Sequence, residues 1–375
     1  MPLVQLTYAE VNVGVQLRWP VYDQSRRLLY KKGAVIENEN QLKLLLRLGL
    51  YRVEHEEDDA ANLINKEINP FASIAELCLR LDNTNTLLLD PSKAKSTEEI
   101  LDRVQKVVTK LILLTEEDTD ATLGAIHLDR DGMYTLLHPI HSALLSYLIA
   151  KSLDYAPDRV FSIMSAALTA NLGMLEIQDE LQSQSKALTE QQRKLIDTHP
   201  RRSVEILQKA GVTDKLWLNI VYQHHEKIDG TGYPRKLVGK DILQESKIVS
   251  LADRYHALIT HRSDRNAMAP TQVLKSLFLE QGKEIDEGIA QLFIKTLGVF
   301  PPGAIVSLTN GEIAIVTRRG TDKMKPTVRS VINNKNTPYS RPLLRNTEHD
   351  EYKLVGLAPI PKIPMIALMR LWEYD

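Results

Sequence analysis

Between about residues 120 and 298, apolar positions recur at helical spacing almost without interruption. Ile140, Leu144 and Leu148, flanked by Leu145 and Ile149, form one stripe; Leu216, Ile220 and Val221 form another that leads into His224 and His225. Thr189 followed by Gln192 marks a helix start between them, because hydroxyl and amide can each satisfy a backbone group of the first turn. Ser96 with Glu99 repeats that signal upstream, opening a helix through Val107, Val108, Leu111 and Leu114. After Pro301-Pro302 the pattern changes to β-rich runs, Ala304 to Leu308 and Ile313 to Thr317. Asn310-Gly311 between them predicts a hairpin with positive φ at both central turn residues.

Towards the N-terminus, Gln16 to Tyr22 and Leu28 to Tyr30 alternate like short strands, the leucines of Asn40 to Leu50 predict a helix, and Tyr51-Arg52-Val53 follow it. Polar breaks at Asp82 to Thr86 and Asp90 to Lys93 predict short helices acting as a connector. The pattern therefore gives a mainly α protein: a small α/β unit over 1–60, a helical connector over 61–124, a helical domain over 125–300 and a β-rich extension over 301–375.

Composition narrows the chemistry. Among 375 residues, 47 Lys and Arg face 48 Asp and Glu, so no overall field attracts a nucleic-acid polymer. One cysteine, Cys78, can form neither an internal disulfide nor a Cys-rich zinc site, which points to the cytoplasm. The first residues, Met1 to Leu6, lack the basic and apolar regions of a secretory signal. The longest stretch without Asp, Glu, Lys or Arg, Gly132 to Ala150, contains His138, Pro139 and His141. It reads as a buried helix, and no membrane association is expected.

The candidate chemistry lies in the histidines. His224-His225 is followed by Glu226, Asp229, Gly230, Gly232, Tyr233 and Pro234. Consecutive histidines at a helix end can present imidazoles to one centre, and a glycine-rich turn after them lets backbone approach a ligand closely. Upstream stand His138, with His141 one turn later, and His199 in Thr198-His199-Pro200; downstream stands Asp253 in Ser250-Leu251-Ala252-Asp253-Arg254-Tyr255-His256-Ala257-Leu258.

Over residues 125–300 these motifs, in this order, resemble the HD-GYP family, helical proteins that hydrolyse the bacterial second messenger cyclic di-GMP. The resemblance implies metal ligands at His138, His199, His224, His225 and Asp253. It also implies a ligand or partner loop at Asp229, Gly230, Gly232, Tyr233, Pro234 and Arg235, with Arg262 matching an arginine that follows the aspartate. The family's His-Asp dyad and subsequent lysine correspond to Ala170, Asn171 and Met174. A bridging carboxylate sets the spacing of two cations about 3.5–4 Å apart and offsets their charge; Asn bridges poorly, Ala offers no ligand and Met cannot donate to a phosphate oxygen. No catalytic group is intact at these three positions. His141 matches no family ligand and is expected to pack or to support a neighbour.

Two states of the pocket stay open on these residues: one iron, manganese or zinc ion at His199, His224 and His225, or no metal, with the imidazoles satisfying one another, Asp253 and water. The resemblance implies a bacterial cyclic di-GMP signalling protein that binds the cyclic dinucleotide, its linear product or a protein partner such as a diguanylate cyclase, with little or no hydrolysis. The alternatives are an active metal-dependent phosphodiesterase that uses Asn171, and an interaction scaffold with a vestigial pocket.

Overall fold

The computed structural model describes residues 3–5, 17, 21–22, 28–30, 34, 51–53, 69–128, 133–263, 265–322, 324–359 and 370–374. The chain divides into two compact units, Met1–Glu76 and Leu77–Asp375. The first contains an antiparallel sheet of β1 (Leu3–Gln5), β2 (Val21–Tyr22), β3 (Leu28–Tyr30) and β4 (Tyr51–Val53), in the order β1-β4-β2-β3. Leu3 pairs with Val53, and Val21 with Tyr30. The helix expected over Asn40 to Leu50 lies outside the described residues.

The connector differs from its expected form. A single helix, α1 (Pro70–Leu89), runs straight through the polar segment Asp82 to Thr86. Thr84 Oγ1 donates to the Arg80 carbonyl at 2.7 Å and Thr86 Oγ1 to that of Asp82 at 3.1 Å, so these hydroxyls bond back along the helix instead of ending it. The second break is real: a short 3-10 turn over Pro91–Lys93 precedes α2 (Thr97–Glu117), capped by the Ser96 hydroxyl.

The helices that follow build the pocket. They are α3 (Thr119–Leu128), α4 (Tyr134–Ser152), α5 (Pro157–Thr169), α6 (Leu175–Ser183), α7 (Glu190–Lys209), α8 (Lys215–Gln223), α9 (Gln244–Ile259), α10 (Pro270–Glu280) and α11 (Glu287–Leu297). Every residue of α4 from Thr135 to Ala150 is buried, because α5, α9 and α11 pack around it. This accounts for its lack of charge. The stretch Pro157–Ser183 is apolar enough to pass for a membrane span by composition, yet 72% of its apolar 18-residue window is buried within the fold.

A five-stranded antiparallel sheet follows: β5 (Ile305–Leu308), β6 (Ile313–Arg318), β7 (Thr327–Ile332), β8 (Pro338–Asn346) and β9 (Leu354–Leu357), in the order β8-β7-β6-β5-β9. The predicted hairpin joins β5 to β6, but only Gly311 takes positive φ, 84°. Asn310 instead uses its side-chain oxygen to accept from the Glu312 N–H at 3.0 Å, holding the turn. Trp372 fastens this sheet to α3: its Nε1 donates to the Thr317 carbonyl at 2.9 Å, and a Cβ on Gly124 would stand 2.3 Å from its ring. His127 on α3 donates through Nδ1 to the Pro302 carbonyl at 2.6 Å.

Glu312 is the polar anchor of the sheet. Its buried carboxylate accepts a two-pronged bond from Arg345 at 2.9 and 2.8 Å, with Ser330 and Tyr339 hydroxyls at 2.5 and 2.6 Å. These donors, Arg345 foremost, hold its carboxyl down at about 2 against an ordinary value of 4.5. A group so depressed stabilises the fold fully above the unfolded value and loses that contribution as pH falls towards the folded one. Glu312→Gln should therefore lower unfolding free energy by roughly 2–3 kcal/mol at neutral pH. In denaturant titrations the gap from wild type should close as pH drops from 4.5 towards 2.

Candidate metal centre

Four helices deliver the candidate ligands. His138 projects from α4, His199 from α7, and Asp253 from α9; His224 and His225 follow the last turn of α8. Because α9 packs on α4 and α8, and α7 on α8, all five come from mutually packed elements.

The three histidines His199, His224 and His225 each offer a ring nitrogen within 4.8 Å of the others. Local backbone chemistry aims two of them. Pro200 has no N–H, so the carbonyl four residues earlier, Ile196, is left open, and His199 Nδ1 donates to it at 2.6 Å. At the end of α8 the carbonyls also lack helical partners, and His224 Nδ1 donates to that of Val221 at 2.7 Å. Both rings thus have their hydrogen on Nδ1, leaving bare Nε2 lone pairs that face each other at 3.2 Å. Two lone pairs at that distance repel unless a positive charge lies between them. A proton is a poor candidate near neutrality: burial and the neighbouring His224 push His199 down to about 3, and burial lowers His224 as well. Burial and His224 likewise hold His225 well below the ordinary imidazole value. Three neutral imidazoles with bare nitrogens suit a transition-metal ion, and a ligating imidazole whose other nitrogen donates to a carbonyl is oriented for that role.

Asp253 faces this group. Burial raises its carboxyl pKa, but His138 and the hydrogen bond it makes outweigh that and hold it ionised, well below the usual carboxylate range. His138 Nε2 lies 2.7 Å from Asp253 Oδ1. Behind it, His138 Nδ1 meets His256 Nδ1 at 2.9 Å, and His256 Nε2 meets His141 Nδ1 at 2.9 Å. Tyr134 stacks over His138, with ring centroids 4.8 Å apart. His256 was not singled out from sequence, although a signal was available: Asp253 and His256, like His138 and His141, are three apart on a helix and share a face.

Ala170, Asn171 and Met174 lie on the turn between α5 and α6. Ser203 of α7 latches this turn, donating to the Ala170 carbonyl at 2.7 Å and accepting from the Gly173 N–H at 2.8 Å. A Cβ on Gly173 would stand 2.4 Å from the His199 carbonyl, so the turn is pressed against the His199 segment. Asn171 is buried, and its Oδ1 has no hydrogen-bond partner among the described residues.

The glycine-rich loop closes over His225. Tyr233 donates its N–H to the His225 carbonyl at 3.1 Å and sets its ring 4.8 Å from the imidazole. Gly232 is required by contact: a Cβ there would come within 2.4 Å of the Lys227 nitrogen. Gly230 takes φ 79°, and Asp229 Oδ1 caps the turn by accepting from the Thr231 N–H at 2.9 Å. The Tyr233-Pro234 peptide is cis, and Arg235 is exposed. Arg262 donates to the Leu181 carbonyl at 3.4 Å, a bond to the α6 backbone.

Glu226 ties this loop down, a role the sequence reading did not assign. Its buried carboxylate accepts from the Arg235 N–H at 2.6 Å and the Leu237 N–H at 2.9 Å. Glu226→Ala should orphan both donors, costing about 2–3 kcal/mol. Hydrogen exchange at Arg235 and Leu237 should accelerate while the α4 core stays protected.

Residues 126–289 match the HD domain family model. The chain is 25% identical over 211 residues to a cyclic di-GMP phosphodiesterase of Pseudomonas aeruginosa, covering 56% of this chain and 51% of that protein. It is 32% identical over 142 residues to the cyclic di-GMP phosphodiesterase response regulator RpfG of Xanthomonas campestris, covering 37% of each. A 3'3'-cGAMP-specific phosphodiesterase of Vibrio cholerae is 29% identical over 174 residues, covering 46% of this chain and 37% of that one. The chain thus spans about half the length, or less, of these relatives. Among solved structures, a HDG"Y"P protein from Bdellovibrio bacteriovorus superposes with a TM-score of 0.54 at 20% identity, covering 79% of this chain and 99% of that one, a likeness of fold. Residues 126–289 of this chain therefore form an HD domain.

Proposed function

We propose that this chain serves cyclic-dinucleotide signalling in a bacterial cytoplasm as a binder of a nucleotide or a protein partner, with little or no hydrolysis, around a pocket that holds one metal ion. The observation that carries the reading is the contrast within the pocket. His199, His224 and His225 keep converging nitrogens, whereas the Ala170 to Met174 turn beside them supplies neither a carboxylate nor a cation. A cation at the triad would act as a Lewis acid towards a phosphoryl oxygen. The chain's own residues supply the rest: Asp253 offsets its charge, and the Tyr233 ring covers His225. Relatives named for cyclic di-GMP and 3'3'-cGAMP support a cyclic dinucleotide, or its linear product, as the ligand class. The exposed Arg235 and Lys236 on the loop suit its phosphates, and the same loop offers a docking edge for a diguanylate cyclase.

A second reading, an active phosphodiesterase, is favoured by one observation: the unpartnered Asn171 Oδ1 could complete a second cation position with His138 and Asp253. Hydrolysis decides between them. With iron, manganese or zinc supplied, turnover of cyclic di-GMP should be negligible, since the bridging carboxylate and the phosphate-facing lysine are each worth roughly 10²–10³-fold when they act as electrostatic stabilisers. Metal-dependent turnover that disappears in His224→Ala would establish the second reading. Restoring the dyad with Ala170→His and Asn171→Asp should raise the number of metal ions per chain above wild type, as measured by elemental analysis with melting temperature recorded alongside. An unchanged metal count in a stable double variant would favour a scaffold.

A further inference from the structure

The buried contacts behind His138 form an unbroken line of imidazoles: Asp253, His138, His256, His141. Successive ring centroids are 5.0 Å and 4.8 Å apart, and all three rings are at most 3% exposed. At the far end His141 Nε2 has no hydrogen-bond partner among the described residues. Beside His256, Thr260 Oγ1 stands 3.5 Å from Nε2 while donating to the His256 carbonyl at 2.8 Å, so it brings no proton to the line.

A neutral imidazole carries one N–H, and each short N···N contact requires one hydrogen. The Asp253 carboxylate only accepts, so the His138 hydrogen sits on Nε2. His138 Nδ1 is then bare, and His256 must donate to it through Nδ1. His256 Nε2 is bare in turn, and His141 must donate through its own Nδ1, ending the line on the bare Nε2 that has no partner. His256 and His141 are buried and have no carboxylate among their hydrogen-bond partners, so a second proton on either ring would be an unpaired charge in the core.

This arrangement is the reverse of that at His199 and His224, where a backbone carbonyl takes the Nδ1 hydrogen and frees Nε2 for a ligand. We infer that His256 and His141 are positioning residues that hold His138 as a hydrogen-bond donor to Asp253 instead of a metal ligand, so that the pocket takes one cation at the three-histidine group and resists a second at His138. To ligate through Nε2, His138 would have to carry its hydrogen on Nδ1. That reversal releases the Nε2 proton to solvent and moves the hydrogens of His256 Nδ1 and His141 Nδ1 each to the facing nitrogen. It also draws a new proton from water onto His141 Nε2, at an end of the line sealed in the core. The inference deepens the one-cation reading and rests on it for its consequence, but the tautomers themselves can be read without metal.

The test is long-range 15N–1H correlation of the histidine side chains in the full chain stripped of metal, assigned with single-histidine variants. The expected spectrum shows His138 protonated at Nε2 alone, and His256 and His141 at Nδ1 alone. Protonation of His138 at Nδ1, whether as the other neutral tautomer or as imidazolium, overturns the inference, and this wild-type reading does not depend on any variant folding. His256→Asp and the uncharged His256→Asn both place an accepting oxygen against His138. In each, His138 gains an acceptor for an Nδ1 hydrogen, and binding of a second zinc ion, followed calorimetrically, should tighten about 10–100-fold. Unchanged affinity for a second zinc ion in both folded variants would also overturn it. If instead His199→Ala leaves the first zinc ion bound while the tautomers are as expected, it is the three-histidine reading that fails.

Discussion

The pocket is governed by two imidazole lone pairs brought face to face. Burial disfavours a second proton on His199 and on His224, and backbone carbonyls occupy their Nδ1 hydrogens, so the 3.2 Å approach of their Nε2 atoms calls for an external positive charge. Each carbonyl is available for a local reason. One is opened by a proline within α7 and the other by the end of α8. Side-chain chemistry is thereby set by the places where helical hydrogen bonding is interrupted.

Around that centre the fold spends its buried polar groups on fixing backbone. Ser203 latches the turn that bears Ala170 and Asn171, Glu226 gathers the loop through Arg235 and Leu237, and Glu312 locks the C-terminal sheet through Arg345. A loop held by a buried carboxylate keeps Tyr233 over His225 without needing a ligand to order it. Such preorganisation lowers the entropy lost on binding.

The Ala170 to Met174 turn and the line of imidazoles point in the same direction. Ala170 and Asn171 bring neither a carboxylate nor an imidazole to the His138 and Asp253 pair, and each member of that pair satisfies the other at 2.7 Å. His138 and Asp253 thus stay in the pocket as a hydrogen-bonded pair, which leaves the three-histidine group as the place where the converging nitrogens are bare.

Much of this was legible in the chain. Helical spacing over 120–298, the β-rich tail after Pro301-Pro302 and the order of His138, His199, His224-His225 and Asp253 follow from local pattern, since periodicity and motif spacing are properties of neighbouring residues. Ala170, Asn171 and Met174 stand out as departures only through the resemblance to the HD-GYP family. The folded structure decided the rest, partly through local bonds that the pattern does not announce and partly through tertiary packing. The polar run Asp82 to Thr86 reads as a break, yet remains helical because its hydroxyls bond back to the helix. Asn310 keeps negative φ because its side chain does the work of the turn. The contacts of His256 with His138 and His141 span more than a hundred residues and exist only because α9 packs on α4, so no local pattern could state which nitrogen faces which.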